Sequence, residues 1–239
     1  MCRDYERSRA WREHKRLIDL EYERRRQPSL RLISPSEDYE PNDFRGDTTA
    51  LTRPAPIVRG RAAGDGLELV MANWWFVPST FKGTMREFAR KLSTFNARAE
   101  GIAKSTTFRK AFATQRCLVP ASGWYEWTEP PNWKKGKPKT KWRFTKGDHE
   151  PIFFAGIWDR FESTDPAAPG PTDTFALITH EGGEGVDKYH DRAPIVLPAE
   201  SWGEWMDPAC DAPQDLLPPA SAANAYRVEY VSGPEPGML

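Results

Sequence analysis

The sequence predicts an α+β fold: one domain with a mainly antiparallel sheet closing toward a barrel, and helices at its periphery. Three observations predict it. Short apolar runs rich in aromatic and β-branched residues recur along most of the chain, bounded by Gly, Pro, Asn and Asp. Ten Trp and 22 Pro in 239 residues give aromatic bulk with many irregular connections and few long helical repeats. No repeat and no linker long enough to divide the chain is present, so residues 1–232 read as the domain and 233–239 as a tail.

In chain order, residues 4–26 read as a helix rich in Arg and Glu, with a thin apolar stripe at Trp11, Leu17, Ile18 and Leu20 and an end at Pro28. Residues 34–53 carry loop signals. Strands are expected at 55–59 and 67–75, joined by a turn at 62–66 into a hairpin. A short helix follows at 85–92, an irregular polar stretch at 95–100, and a helix at 106–114 with Phe108, Ala111 and Phe112 inward. Residues 116–127 are strand-like on both sides of Gly123. Further strands are expected at 142–144, 152–158, 175–179 and 226–231, a short helix at 202–206, and a mobile loop at 162–173.

Charge is balanced at 34 basic and 34 acidic residues, so net charge points to no partner. Its distribution is uneven. Seven basic and no acidic residues lie between Trp133 and Lys146, ten basic against six acidic residues in the first 31, and five acids without a base between Glu200 and Asp215. A basic side can bind phosphates at zero net charge, and a solvated lysine loop explains any one run equally well. Three cysteines imply no disulfide framework and fit a reducing compartment. No run approaches a membrane span and no signal-peptide core is present, so a cytoplasmic protein is expected. No CxxC, HExxH, P-loop or dinucleotide fingerprint occurs; neither cofactor nor metal is expected.

Chemistry concentrates in four places. Cys2 follows the initiator Met1 and is small enough to permit its removal. As an N-terminus, Cys2 would carry an α-amine, whose unperturbed pKa is about 8, beside a thiol. Such a 1,2-aminothiol condenses with an aldehyde through nitrogen and closes a five-membered thiazolidine through sulfur. Glu126 stands among aromatics in Gly123-Trp124-Tyr125-Glu126-Trp127, where desolvation would raise its pKa toward an acid/base value; spacing alone favours instead an alternating strand with Glu126 facing water. His190, in His190-Asp191-Arg192-Ala193-Pro194, can move protons near pH 7, although a histidine taken alone is more often structural or exposed. Asn96-Ala97-Arg98-Ala99-Glu100 is the fourth polar interruption. Cys117 reads as a core thiol, and Cys210 has no helper nearby.

Taken in order, Met1-Cys2, Asn96-Ala97-Arg98-Ala99-Glu100, Arg116-Cys117-Leu118-Val119-Pro120-Ala121-Ser122-Gly123-Trp124-Tyr125-Glu126-Trp127 and His190-Asp191-Arg192-Ala193-Pro194-Ile195-Val196-Leu197 resemble the ordered motifs of the SRAP family, the SOS-response-associated peptidase or abasic-site processing proteins. Val70 to Pro78 resembles the family strand that ends in Trp-Gly-Leu-Val-Pro, with Trp75-Phe76 where the family has Gly-Leu. The resemblance runs from Cys2 to about Asp207. It implies an SRAP-like domain that senses abasic sites in single-stranded DNA and shields them by a covalent thiazolidine crosslink. Cys2 would be the nucleophile, and Asn96 would hold the N-terminus and sugar. Glu126 would be the acid/base at the amine, aiding autoproteolytic Met1 removal, and His190 the acid/base on the opening sugar. Arg98 and Arg192 would pair with phosphates, with Arg3 standing in for an early arginine of the family, and Trp74 and Trp75 would offer faces to unstacked bases. Strand cleavage by β-elimination is an implied side activity. The expected protein is a monomer, without membrane contact, that joins the nucleoid at damaged DNA. Two rival readings are a thiol peptidase using Cys2, His190 and Glu126, and a non-covalent single-stranded-DNA binding module.

Overall fold

The computed structural model describes residues 2–7, 11–26, 31–34, 48–61, 66–147, 150–183, 185–219 and 226–235. Met1, the helix end expected at Pro28, most of the loop expected at 34–53, the turn at 62–65 and residues 236–239 lie outside the described residues.

The chain enters as a strand. β1 (Asp4–Glu6) occupies the start of the expected helix, and α1 (Trp11–Arg25) begins only at Trp11. Sheet pairing overrides helical composition here because Tyr5 is fully buried, with its ring edge-on to Trp74 and Phe154. Helix α1 buries Trp11, His14, Ile18 and Glu21, spaced three and four apart as one helical face requires. β2 (Leu32–Ser34) and β3 (Thr48–Ala50) precede the hairpin of β4 (Pro54–Gly60) and β5 (Leu67–Trp74). α2 (Met85–Lys91) starts on a capping box: the Thr84 hydroxyl accepts from the Glu87 N–H, and the Glu87 carboxylate accepts from the Thr84 N–H. The stretch expected to be irregular contains β6 (Asn96–Arg98), followed by a 3-10 turn at Ala99–Lys104 and by α3 (Arg109–Thr114). β7 (Arg116–Ala121) and β8 (Gly123–Thr128) flank Ser122; β9 (Thr140–Lys146), β10 (Ile152–Ser163), β11 (Gly170–Glu181) and β12 (Arg192–Pro194) follow. α4 (Trp202–Trp205) and β13 (Tyr226–Ser232) complete the order.

Five strands close on themselves. β5, β4, β7, β10 and β11 pair antiparallel in that order, and β11 returns to β5 in parallel through Thr174 opposite Asn73 and Phe175 opposite Trp74. β6 also lies parallel to β11, with Asn96 opposite Leu177. A second sheet runs β13-β9-β8-β1-β3. One apolar cluster packs α1, α3 and α4 against the barrel strands; another, built on Tyr5, Trp74, Trp124, Phe144, Phe154 and Phe175, joins the two sheets. Half of the stretch expected to be a loop at 162–173 is strand: β10 and β11 pair as far as Ser163 opposite Gly170, and residues 164–169 connect them. Its polar residues pair across the hairpin: Arg160 donates two bonds to the Asp173 carboxylate at 2.7 and 2.8 Å, and Arg59 adds a third at 3.0 Å.

Gly123 explains the break between β7 and β8. A Cβ there would overlap the carbonyl oxygen of Phe144 on β9. Gly123→Ala is therefore expected to lose about 3 kcal/mol or more, as overpacking against a backbone that cannot move does; urea unfolding measures it.

Candidate active site

Strand β1 carries the N-terminal residues into the sheet. It lies between β3 and β8, with Asp4 opposite Ala50 and Tyr5 opposite Trp124. Continued antiparallel, that register brings residues 2 and 3 alongside Glu126 and Trp127. Cys2 is 1% exposed, and its S–H donates to the Asp4 carbonyl at 3.5 Å. Burial pushes the thiol well above its ordinary pKa, and the nearby Glu126 charge adds to the rise.

Glu126 shares a face of β8 with Trp124, pointing into the protein rather than to water, and is itself 1% exposed. Burial pushes its carboxyl up to about 7, against the pull of the positive chain N-terminus and of Arg3 and aided by Asp191. Asn96, on β6, donates from Nδ2 to the Cys2 carbonyl at 2.9 Å. Its Oδ1 is buried and has no hydrogen-bond partner among the described residues.

His190 stands just ahead of β12. Its Nδ1 lies 2.9 Å from the Arg192 N–H and 2.7 Å from Asp191 Oδ1. A neutral ring accepts from the former and a protonated ring donates to the latter, so Nδ1 has a partner in either state. Gly182 keeps this segment close: its N–H donates to the Asp191 carbonyl at 2.7 Å.

An open cleft of about 600 Å³ joins these elements, lined by Arg3, Arg98, Glu126, Trp127, Lys139, His190, Asp191 and Arg192. Arg3 and Arg98 are exposed cations at its edge, and Arg98 makes no ion pair among the described residues. Arg192 is placed differently. Its guanidinium is buried, donates to both Glu100 oxygens at 2.8 and 3.0 Å, and adds a bond to the Thr179 carbonyl at 2.7 Å. Burial works against the Glu100 carboxylate, but Arg192 holds it below its ordinary pKa. Arg192 thus braces the floor of the cleft while bordering it.

Trp74 and Trp75 separate cleanly. Trp74 is fully buried, stacks on Phe175 and donates to the Phe95 carbonyl at 2.9 Å, so it has no face to offer DNA. That corrects the expectation for Trp74; the parallel pairing of β5 with β11 places it inside. Trp75 remains half-buried, packed on Phe95 with ring centroids 5.2 Å apart, and Arg3 lies over the other ring of that pair, Phe95, at 5.9 Å. Trp127, Lys139, Asp191 and Glu100 were not singled out as site residues. The basic run around Lys139 was the available signal; the pairing of Glu100 with Arg192 had none.

A separate, more apolar cavity of about 680 Å³ lies between α1 and the segment after β12, lined in part by Leu17, Phe153, His180, Leu197 and Trp202. None of Cys2, Asn96, Glu126 or His190 borders it. Cys117 is a buried core thiol whose pKa burial raises. No helix among the described residues is long and apolar enough to cross a membrane.

The profile of the SOS response associated peptidase (SRAP) family matches residues 1–232. The chain belongs to the SRAP family. Among curated relatives of this SRAP chain, abasic site processing protein YoqW of Bacillus subtilis is 34% identical over 140 residues, covering 56% of the chain and 58% of YoqW. The match therefore spans less than two thirds of that relative. Abasic site processing protein YobE of the same organism is 31% identical over 180 residues, covering 72% of the chain and 76% of YobE. A crystal structure of a Bordetella bronchiseptica protein superposes with a TM-score of 0.68 at 24% identity, covering 97% of this chain and all of that one. That likeness shows a shared fold over nearly the whole chain.

Proposed function

We propose that this SRAP protein captures abasic sites in single-stranded DNA by a thiazolidine crosslink to Cys2, exposed as the N-terminus when Met1 is removed. One observation carries the reading: Cys2 is buried beside a carboxyl raised to about 7 and tethered through its carbonyl by Asn96, at a cleft rimmed by arginines. The relatives named as abasic site processing proteins support the same substrate.

The chemistry balances with the groups present. His190 moves the protons that open the abasic sugar to its aldehyde. The Cys2 amine adds to the aldehyde carbon, giving a carbinolamine. Protonated Glu126 gives its proton to the departing hydroxyl, water leaves, and an iminium forms. The Glu126 carboxylate then takes the thiol proton as sulfur bonds to the same carbon, and the ring closes. Glu126 ends protonated, as it began, and one water is lost. This relay suits a thiol whose burial keeps it protonated, because sulfur loses its proton only as it attacks. Asn96 Oδ1 is a ready acceptor for the amine or a sugar hydroxyl. Arg98 and Arg3 would hold flanking phosphates, and Trp75 a neighbouring base. The same carboxyl would serve removal of Met1 in the folded chain, and diversion of the iminium into β-elimination would give strand cleavage as a side reaction.

Intact mass tests the reading. Incubation with an abasic oligonucleotide should yield one species whose mass is that of DNA plus protein without Met1, less one water. A mass retaining Met1 in the adduct would contradict it.

A further inference from the structure

Between β8 and β9 the chain rises into a hairpin loop, residues 129–139, that the reactions above leave unused. Its base is fixed. Thr128 lies opposite Thr140, the Thr140 hydroxyl donates to the Pro234 carbonyl at 2.8 Å, and Gly233 packs directly on the Lys139 carbonyl. Its tip is also built. The Trp133 indole donates to the Lys137 carbonyl at 2.8 Å, the Lys137 N–H to the Lys134 carbonyl at 3.0 Å, and the Trp133 N–H to the Pro130 carbonyl at 3.0 Å. Asn132 and Gly136 take positive φ angles of 59° and 88° to make these turns.

This frame holds two kinds of lysine. Lys139 lines the cleft, bonds Glu129 at 2.8 Å and lies over the Trp133 ring at 4.8 Å. Lys134, Lys135 and Lys137 are exposed and make no ion pair among the described residues. They stand two to five residues from Lys139, so chain length alone keeps them within about 18 Å of the cleft. The remaining cations of the run are neutralised within the fold: Lys141 by Asp4, Arg143 by Glu6 and Glu229, and Lys146 by Glu150. The chain therefore spends its paired cations on structure and leaves three uncompensated charges together on one ordered tip, continuous with the cleft through Lys139.

We infer that residues 129–139 form a phosphate-binding arm that takes the backbone of single-stranded DNA as it leaves the cleft. The arm rests on the reading of the cleft as a DNA site. It supplies sequence-independent affinity, since lysines read phosphate charge and not base edges, and each neutralised phosphate releases counterions.

The test compares the wild-type chain with Lys134→Gln/Lys135→Gln/Lys137→Gln, using fluorescence anisotropy on undamaged single strands of about 5 and about 16 nucleotides. On the longer strand the slope of log Kobs against log salt should become shallower by about two, from three phosphate contacts at roughly 0.7 each. The short strand should show the same slope for both proteins. Equal slopes on the long strand would overturn the inference and leave the tip a solvated turn. Adduct formation with abasic DNA is followed in parallel. A lysine-dependent slope without any wild-type adduct would support the arm while removing the covalent reading of the cleft.

Discussion

Cys2→Ala is expected to abolish the adduct that survives denaturing electrophoresis, while leaving a reducible one. Alanine is small enough to allow Met1 removal, so the variant keeps a free α-amine and loses only sulfur. The amine still forms an imine with the abasic aldehyde, and a hydride donor traps it; without that donor the imine hydrolyses on denaturation. Wild type should form the stable species with or without reductant. Binding to undamaged single strands should persist at about the wild-type affinity, because Arg3, Arg98 and the lysine arm are untouched. The packing loss is small, about 1 kcal/mol for one buried sulfur, so the variant should fold. One residue added ahead of Cys2 (an uncleaved tag, for example) should abolish the stable adduct as fully, since it removes the amine and keeps the thiol. Persistence of an unreduced adduct in Cys2→Ala would end the thiazolidine reading. Turnover of peptides by wild type without DNA would favour the thiol-peptidase alternative.

Glu126→Gln should make the protein slower and more stable at once. The folded carboxyl has its pKa raised from an ordinary 4.5 to about 7 because it is buried. Below pH 4.5 it is protonated in both folded and unfolded chains and carries no penalty. As pH rises from 4.5 through 7, the unfolded chain ionises freely and the folded chain does so at a cost, so stability is lost across that window. A 2.5-unit difference corresponds to on the order of 3 kcal/mol above pH 7. Glutamine has no proton to lose. Relative to the wild type, Glu126→Gln should gain stability between pH 5 and pH 8, as measured by denaturant unfolding at both. The same substitution removes proton relay, and adduct formation should slow by about 10²- to 10⁴-fold. The wild-type rate should fall on the alkaline side as the carboxyl loses its proton near pH 7; that limb should vanish in the variant. A stability gap that does not change with pH would refute the buried-acid assignment.

Much of the candidate site could be read before the fold was known. Cys2, Asn96, Glu126 and His190 lie in motifs whose order is distinctive, and the structure brings all four to one region. The barrel-like antiparallel body was legible from short aromatic runs. What stayed hidden depends on partners distant in sequence. β1 is three residues long inside a charged stretch, and only pairing with β8 and β3 makes it a strand. Trp74 and Trp75 are adjacent and identical, and their opposite fates follow from the pairing of β5 with β11. Glu126 could have faced either side of its strand until β1 fixed the register. Arg192 reads as a free cation until Glu100, 92 positions away, occupies it.

The internal position of β1 in its sheet also sets a timetable. The strand that receives it begins at Gly123, about 120 residues after Cys2 leaves the ribosome. At about 5–20 residues per second, roughly 6–24 s pass before the second of its two neighbouring strands is available. During that interval the first residues are open to a methionine aminopeptidase travelling with the ribosome. Once β8 emerges, β1 pairs with it and Cys2 becomes buried. On the reading proposed above, maturation of Cys2 would then be a race between synthesis and trimming, and chains that lose it would rely on Glu126 to finish the cut.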